Sequence, residues 1–216
     1  MKLKILAFSD LHDDEEALLK ISKIAPNYDL VLGCGDLCET NSFYDDLSEK
    51  FSSLKNFYFI SGNTESEYLN LEYSKNSSFV HGKKITLECG LNLCGFGFST
   101  KTPYGTFGEI SEDEFEKGLS SLALDTNSIL LLHSPPFGHF DLVKENHIGS
   151  KSILKTVLEK SPLVCFFGHV HSKVDFSTLG KTHLIKLPPA NSGVVCSLTI
   201  SSSLSGKNLY CEFVRL

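Results

Sequence analysis

No two cysteines stand at the two-residue spacing of a thiolate zinc site or a redox motif, and their total, seven, is odd. Most lie inside apolar stretches (Cys34, Cys94, Cys165, Cys196), where a reduced thiol behaves as a small hydrophobe. There is no run of five like charges and no lysine–arginine block, so with a net charge of −6 no extended nucleic-acid surface is expected. The acidic balance suits a protein that meets an anionic substrate with bound cations. No apolar segment approaches transmembrane length, and the run Ile5–Phe8 is too short for a signal-peptide core. A soluble, cytoplasmic protein without a membrane partner is expected. No disordered linker and no internal repeat divides the 216 residues, so one domain over 1–216 is expected, with 41% hydrophobic residues to fill its core.

What is present follows one design repeated along the chain. A short apolar run stops abruptly at Gly or Ser and is followed at once by Asp, Asn or His. Leu3–Phe8 leads to Asp10 and His12, Leu30–Leu32 to Gly35-Asp36, and Phe57–Ile60 to Gly62-Asn63. Ile129–Leu132 leads to His133, and Leu163–Phe167 to Gly168, His169 and His171. Such runs read as strands buried on both faces. Helical periodicity fills several intervals: Asp14–Ala25 before Pro26, Ser111–Leu122 with Ser111 and Glu114 spaced as a capping box, and Ser150–Lys160 before Pro162. The alternation predicts an α/β layered fold with a largely parallel sheet. Lys84–Phe98 reads as a hairpin turning at Cys89-Gly90, and His183–Leu216 as strands with a turn near Ser205-Gly206.

Ligand sites in open α/β sheets lie beyond the carboxyl ends of the strands. Folding should therefore gather Asp10, His12, Asp36, Asn63, His133, His169 and His171. Asp10 and His12, like His169 and His171, are two apart, a spacing at which extended chain points side chains the same way. The neighbouring glycines permit sharp turns and leave room for ions. A lone strand-end histidine is usually structural, and a lone Gly-Asp is usually a turn; the ordered set is what points to metal. Oxygen and imidazole donors without thiolate suit Mn, Fe, Co, Ni or Zn. The set is too large for one catalytic ion and sufficient for two divalent ions if one carboxylate bridges. Asp36, which its central segment supplies alone, is the natural bridge.

Asp10-Leu11-His12, Gly35-Asp36, Gly62-Asn63, His133 and Gly168-His169-Val170-His171 resemble the ordered motifs of the calcineurin-like metallophosphoesterases, in particular the small prokaryotic and archaeal branch. The resemblance runs from Lys2 to about Asn191. It extends to Thr102-Pro103-Tyr104, Pro135-Pro136-Phe137-Gly138 and His147-Ile148-Gly149-Ser150. It implies a four-layer α-β-β-α sandwich of two facing mixed sheets. It implies that Asp10, His12, Asp36 and His171 hold one ion, manganese first among the candidates, and that Asp36, Asn63, His133 and His169 hold the other. It further implies hydrolysis of phosphodiesters or phosphomonoesters by a hydroxide between the ions. Where many relatives have His after Gly-Asn this chain has Thr64, which leaves the leaving-group acid unassigned. Glu65 matches the acidic position that follows, and the expectation is that it orients a ligand imidazole.

Beyond Asp36 and Asn63, His147 is the candidate catalytic residue, because it precedes a helix start at Ser150 where free N–H groups favour an anion. The competing reading is a structural His147 and a simple Ser150 cap; nothing distinguishes His139. Phe96–Gly108, rich in glycine and aromatics, could wall the metals or be an ordinary loop, and His81 and His183 read as surface or structural. Two other functions compete with a small phosphate-ester hydrolase: a nuclease for short or cyclic nucleotides, and a non-catalytic protein-interaction scaffold of the same fold.

Overall fold

The computed structural model describes residues 2–216 except Ser53, Lys55, Lys173, Leu204 and Ser205. In chain order the elements are β1 (Lys2–Phe8), α1 (Glu15–Ile24), β2 (Leu30–Cys34), α2 (Asn41–Phe51), β3 (Phe57–Ile60), α3 (Glu67–Ser74), β4 (Lys83–Thr86), β5 (Asn92–Phe96) and α4 (Glu112–Ser121). They continue with β6 (Ser128–Leu132), β7 (Leu142–Val143), β8 (Asn146–His147), α5 (Lys151–Lys160), β9 (Val164–Phe167), β10 (Asp175–Leu179), β11 (Thr182–Lys186), β12 (Val194–Ser203) and β13 (Gly206–Arg215). The turn expected near Ser205-Gly206 falls partly outside the described residues.

Two mixed sheets face one another. The first runs β13-β12-β1-β2-β3, with β1, β2 and β3 parallel and the β12–β13 hairpin added antiparallel. The second runs β10-β11-β9-β6-β5-β4; its four inner strands are parallel and β10 and β4 are antiparallel edges. The period-two alternation of each strand divides the core into layers. In β1, Ile5 and Ala7 join the space between the sheets, where Ile129, Leu131, Val164 and Phe166 meet them. Leu6 and Phe8 face the other way, onto Leu18 and Ile21 of α1 and Leu47 and Phe51 of α2. The far side of the second sheet repeats the pattern, with Leu130, Leu132, Cys165 and Phe167 against Phe115 of α4 and Ile153 of α5. The result is the four-layer sandwich: helices, sheet, sheet, helices.

Local signals explain most boundaries. Asp14 caps α1 by accepting from the Ala17 N–H, and the chain leaves through a 3-10 turn, Ala25–Asn27, containing Pro26. Ser111 and Glu114 form the reciprocal capping box of α4. Helices α2 and α3 were not expected; Thr40 and Ser66 cap them, and Phe43, Leu47 and Phe51 set one buried face on α2. Among the described residues no helix is long and apolar enough to cross a membrane.

Phe166 is fully buried between the sheets. Phe166→Ala should cost ~3–5 kcal/mol of stability by denaturant unfolding. The exposed Phe176→Ala should stay within ~0.5 kcal/mol.

Candidate metal centre

The carboxyl ends of β1, β2 and β3 meet those of β6 and β9 along one edge of the sandwich, and backbone bonds stitch the loops together. The Asp10 N–H donates to the Gly35 carbonyl at 3.0 Å, and the Gly168 N–H to the His133 carbonyl at 3.1 Å. Asp10, Asp36, Asn63 and His133 are all buried. Two donor groups result: Asp10, His12 and His171 on one side, and Asp10, Asp36 and His133 on the other. Asn63 joins through its Oδ1, 2.9 Å from His133 Nε2, and the His169 ring lies 5.0 Å from that of His133. All the residues expected as metal ligands therefore converge.

The way they converge differs from expectation. Asp10, His12, Asp36 and His169 have φ of 54°, 48°, 51° and 67°, the left-handed region, so their side chains are aimed by tight turns and not by extended chain. Each such conformation costs about 1–3 kcal/mol, and the surroundings must hold it in place. Gly62 and Gly168 make room for carboxylates. A Cβ on Gly62 would strike Asp36 Oδ1, and one on Gly168 would strike Ser9 Oγ and Asp10 Oδ2.

Asp36 is the most tightly held group. Its Oδ1 accepts from the Asn63 and Thr64 N–H groups at 2.7 and 2.9 Å. Its Oδ2 lies 3.3 Å from His133 Nε2 and 3.8 Å from His12 Nε2. Burial alone would raise its pKa, but His133 and these hydrogen bonds hold it far below the usual carboxylate range. Burial likewise opposes charge on His133, yet Asp36 and Asp10 lift its pKa to about 10. Asp10 accepts from the His169 N–H and pairs with His171 Nε2 at 3.1 Å; against burial, this bond depresses Asp10, and it raises His171. His169 goes the other way, down to about 4, because burial dominates.

The donors fit divalent metal on an observation independent of any motif. Among the described residues, His12 Nε2 and His169 Nε2 are buried with no hydrogen-bond partner. An unpaired buried imidazole nitrogen is costly unless something accepts its lone pair. Both stand beside ionised carboxylates, where a cation would complete the set.

Several orienting residues escaped sequence reasoning because each lies far along the chain from the group it serves. Glu39 Oε1 sits 2.9 Å from His12 Nδ1, which leaves Nε2 for a ligand bond. The Cys34 carbonyl does the same for His133 Nδ1 at 2.9 Å. Asn63 Nδ2 donates to Thr106 Oγ1 at 2.9 Å, and that hydroxyl donates on to Glu109 Oε1 at 2.8 Å, so the Asn63 oxygen is turned toward the donor cluster. Glu65 does not orient an imidazole as expected. Its two oxygens accept from the Leu37 and Gly62 N–H groups, each at 2.8 Å, bracing the Asp36 loop against the Asn63 loop. Burial, with Asp36 nearby, pushes its carboxyl up to about 8.

A cavity of about 760 Å³ opens over His12, Asp36, Asn63, His169 and His171. His147 is not brought to it. Asn146 and Ile148 line the cavity, while His147 between them bonds Asp141 Oδ1 through Nδ1 at 2.7 Å. The helix start invoked for it is already met by Glu112, whose carboxylate accepts from the Lys151 and Ser152 N–H groups and from Ser150 Oγ. Tyr104 lines the cavity, whereas Phe96 and Phe98 pack on His81, a structural residue whose ring, partly buried among them, has its pKa lowered to about 4 by desolvation.

Glu39→Gln keeps the side chain's shape but removes the anion behind His12. It should weaken divalent-metal affinity by ~10–100-fold, read by competition with a fluorescent chelator, while thermal stability of the metal-free protein changes little.

Comparisons with known proteins bear on the fold and the family. An uncharacterized protein of Methanocaldococcus jannaschii is 27% identical over 198 residues, covering 87% of this chain and 88% of that one. The crystal structure of TT1561 from Thermus thermophilus superposes with a TM-score of 0.72 at 20% identity over 100% of both chains. A dimetal phosphatase from Danio rerio superposes at 0.58 with 10% identity, covering 99% of this chain and 98% of that one. These structural likenesses show the fold. Residues 3–173 match the family model described as calcineurin-like phosphoesterase. The chain belongs to the calcineurin-like phosphoesterase family.

Proposed function

We propose that the protein hydrolyses phosphodiesters or phosphomonoesters with two divalent cations that share the Asp36 carboxylate. The observation that carries this reading is the division of labour on Asp36. Oδ1 is tied down by two backbone N–H groups, and Oδ2 faces His133 on one side and His12 on the other. Asp10, His12 and His171 would complete one ion's set, and Asn63, His133 and His169 the other's. Manganese heads the candidates, with iron, zinc, nickel and cobalt also suited to oxygen and imidazole donors. When bound, such ions draw charge from phosphoryl oxygens and make water nucleophilic near neutral pH.

The chain's own residues set what surrounds that chemistry. The Asn63 oxygen is held toward the reacting region by Thr106, and Glu65 fixes the spacing of the two loops beneath it. Thr64 lines the cavity, but its hydroxyl oxygen is buried, and a hydroxyl is no efficient acid for a departing oxygen. Among the described residues lining the cavity there is no carboxyl group besides Asp36 and no histidine outside the donor set. That leaves Lys101, Lys144 and Tyr104 as the lining side chains able to give a proton, all weaker acids than an imidazolium, so help for the leaving group is limited where a positioned acid typically supplies ~10²–10⁴-fold.

Turnover of substituted phenyl esters at saturating manganese should fall steeply as the phenol's pKa rises. Metal-stripped protein should be inactive, and Asp36→Asn should lose more than about 100-fold, beyond what outer partners of a ligand contribute. Full activity in either would overturn the reading. A flat dependence would reveal a proton donor, and its steepening in His147→Ala would identify that donor.

A further inference from the structure

Tyr104 at 85% exposure, Leu142 at 55% and Val143 at 40% are large apolar side chains left in solvent, and all stand around the cavity above the donor cluster. Single exposed hydrophobes need no explanation, but several at the mouth of a pocket mark what it binds. The volume of about 760 Å³ is that of a site for a whole small organic molecule, far more than a phosphoryl group needs.

The cavity has a polar floor and two walls. One wall is the 101–106 loop, with Pro103 and Tyr104; the other is the β7–β8 hairpin, with Leu142 and Val143. The walls are fastened to each other, since Thr100 Oγ1 donates to the Ile148 carbonyl at 2.7 Å. Tyr104 is seated on a pinned loop. Its N–H donates to Thr102 Oγ1 at 3.1 Å, and Thr102 Oγ1 donates to Glu109 Oε1 at 2.5 Å. That same Glu109 oxygen holds Thr106 and, through it, Asn63, so the apolar wall and the floor share one anchor. Lys101 and Lys144 put one basic residue on each wall, and Asp36 is the sole carboxylate among the described lining residues. The cleft attracts an anion, and its sides offer apolar surface to whatever the anion is attached to.

We propose that the cleft selects phosphate esters by their organic part. An apolar, ring-bearing group is held between Tyr104 and the Leu142–Val143 edge while the phosphoryl group lies over His12, Asp36, His169 and His171. The proposal rests on the phosphoesterase reading for the identity of the anion. An aromatic ring and an aliphatic pair lining the same cavity suit a flat substituent that can stack on the one and be covered by the other.

Two measurements on the manganese-loaded full chain test it. In the first, calorimetry compares binding of methyl-, phenyl- and naphthylphosphonate, which share an anionic head and differ in apolar area. Naphthylphosphonate should bind at least about tenfold more tightly than methylphosphonate. The combined change Tyr104→Ala and Leu142→Ser, both at exposed positions, should shrink that ratio to within about twofold. In the second, phosphodiesters with a common 4-nitrophenyl leaving group and a methyl, phenyl or naphthyl second group should follow the same order in kcat/KM. Equal affinities across the phosphonates, or a ratio untouched by the double change, would overturn the selection while hydrolysis of the esters still upheld the phosphoesterase reading. Retention of the phosphonate ratio with no ester hydrolysed would do the reverse.

Discussion

Asp10 and Asp36 are buried side by side where two sheets end, and no like-charged pair can sit there unless the surrounding structure compensates both. Asp36 is compensated by two backbone N–H groups and by the imidazoles of His133 and His12. Asp10 is compensated by the His169 N–H and the His171 ring. These contacts require the loops after five strands to approach closely, which is why Gly62 and Gly168 cannot carry a side chain. They also require left-handed backbone at four of the donor residues. That strain is stored where chemistry is expected, and the rigid sandwich beneath it supplies the support.

Glu65 shows how far the same demand reaches. A fully buried carboxyl bonded only to backbone N–H groups of two loops is an unusual device, since a shorter polar side chain could not span both. It places another acidic group near Asp36 and is itself pushed toward neutrality. Its position favours geometry over charge: one carboxylate ties the Asp36 loop to the Asn63 loop.

The donor residues were legible in the sequence because β2, β6 and β9 are buried on both faces, so their apolar runs end where the chain meets the site. Helices α1, α4 and α5 were legible from caps and period; α2 was not, because its Asn41–Phe51 stretch buries just Phe43, Leu47 and Phe51, with Tyr44 partly covered beside them, among polar residues. The assignment of strands to two sheets followed from family resemblance, since parallel strands of either sheet read alike. What sequence could not carry was orientation. The pairing of Glu39 with His12, of Thr106 with Asn63 and of Glu112 with the start of α5 joins residues remote in the chain, and it is created only by folding. His147 was singled out because the N-terminus of α5 looked open, and Glu112 closes it. Of the cavity walls, the 101–106 loop lies within Phe96–Gly108, which the sequence left open as a wall or an ordinary loop, whereas the β7–β8 hairpin was hidden, because its strands have two residues and no period to read.

Crystals grown with manganese and measured for anomalous scattering address the shared carboxylate directly. Two peaks are expected, one bounded by Asp10, His12 and His171 and the other by Asn63, His133 and His169, with Asp36 bound to both ions. A single ion, or two ions of which Asp36 touches only one, would contradict the two-ion site built around it.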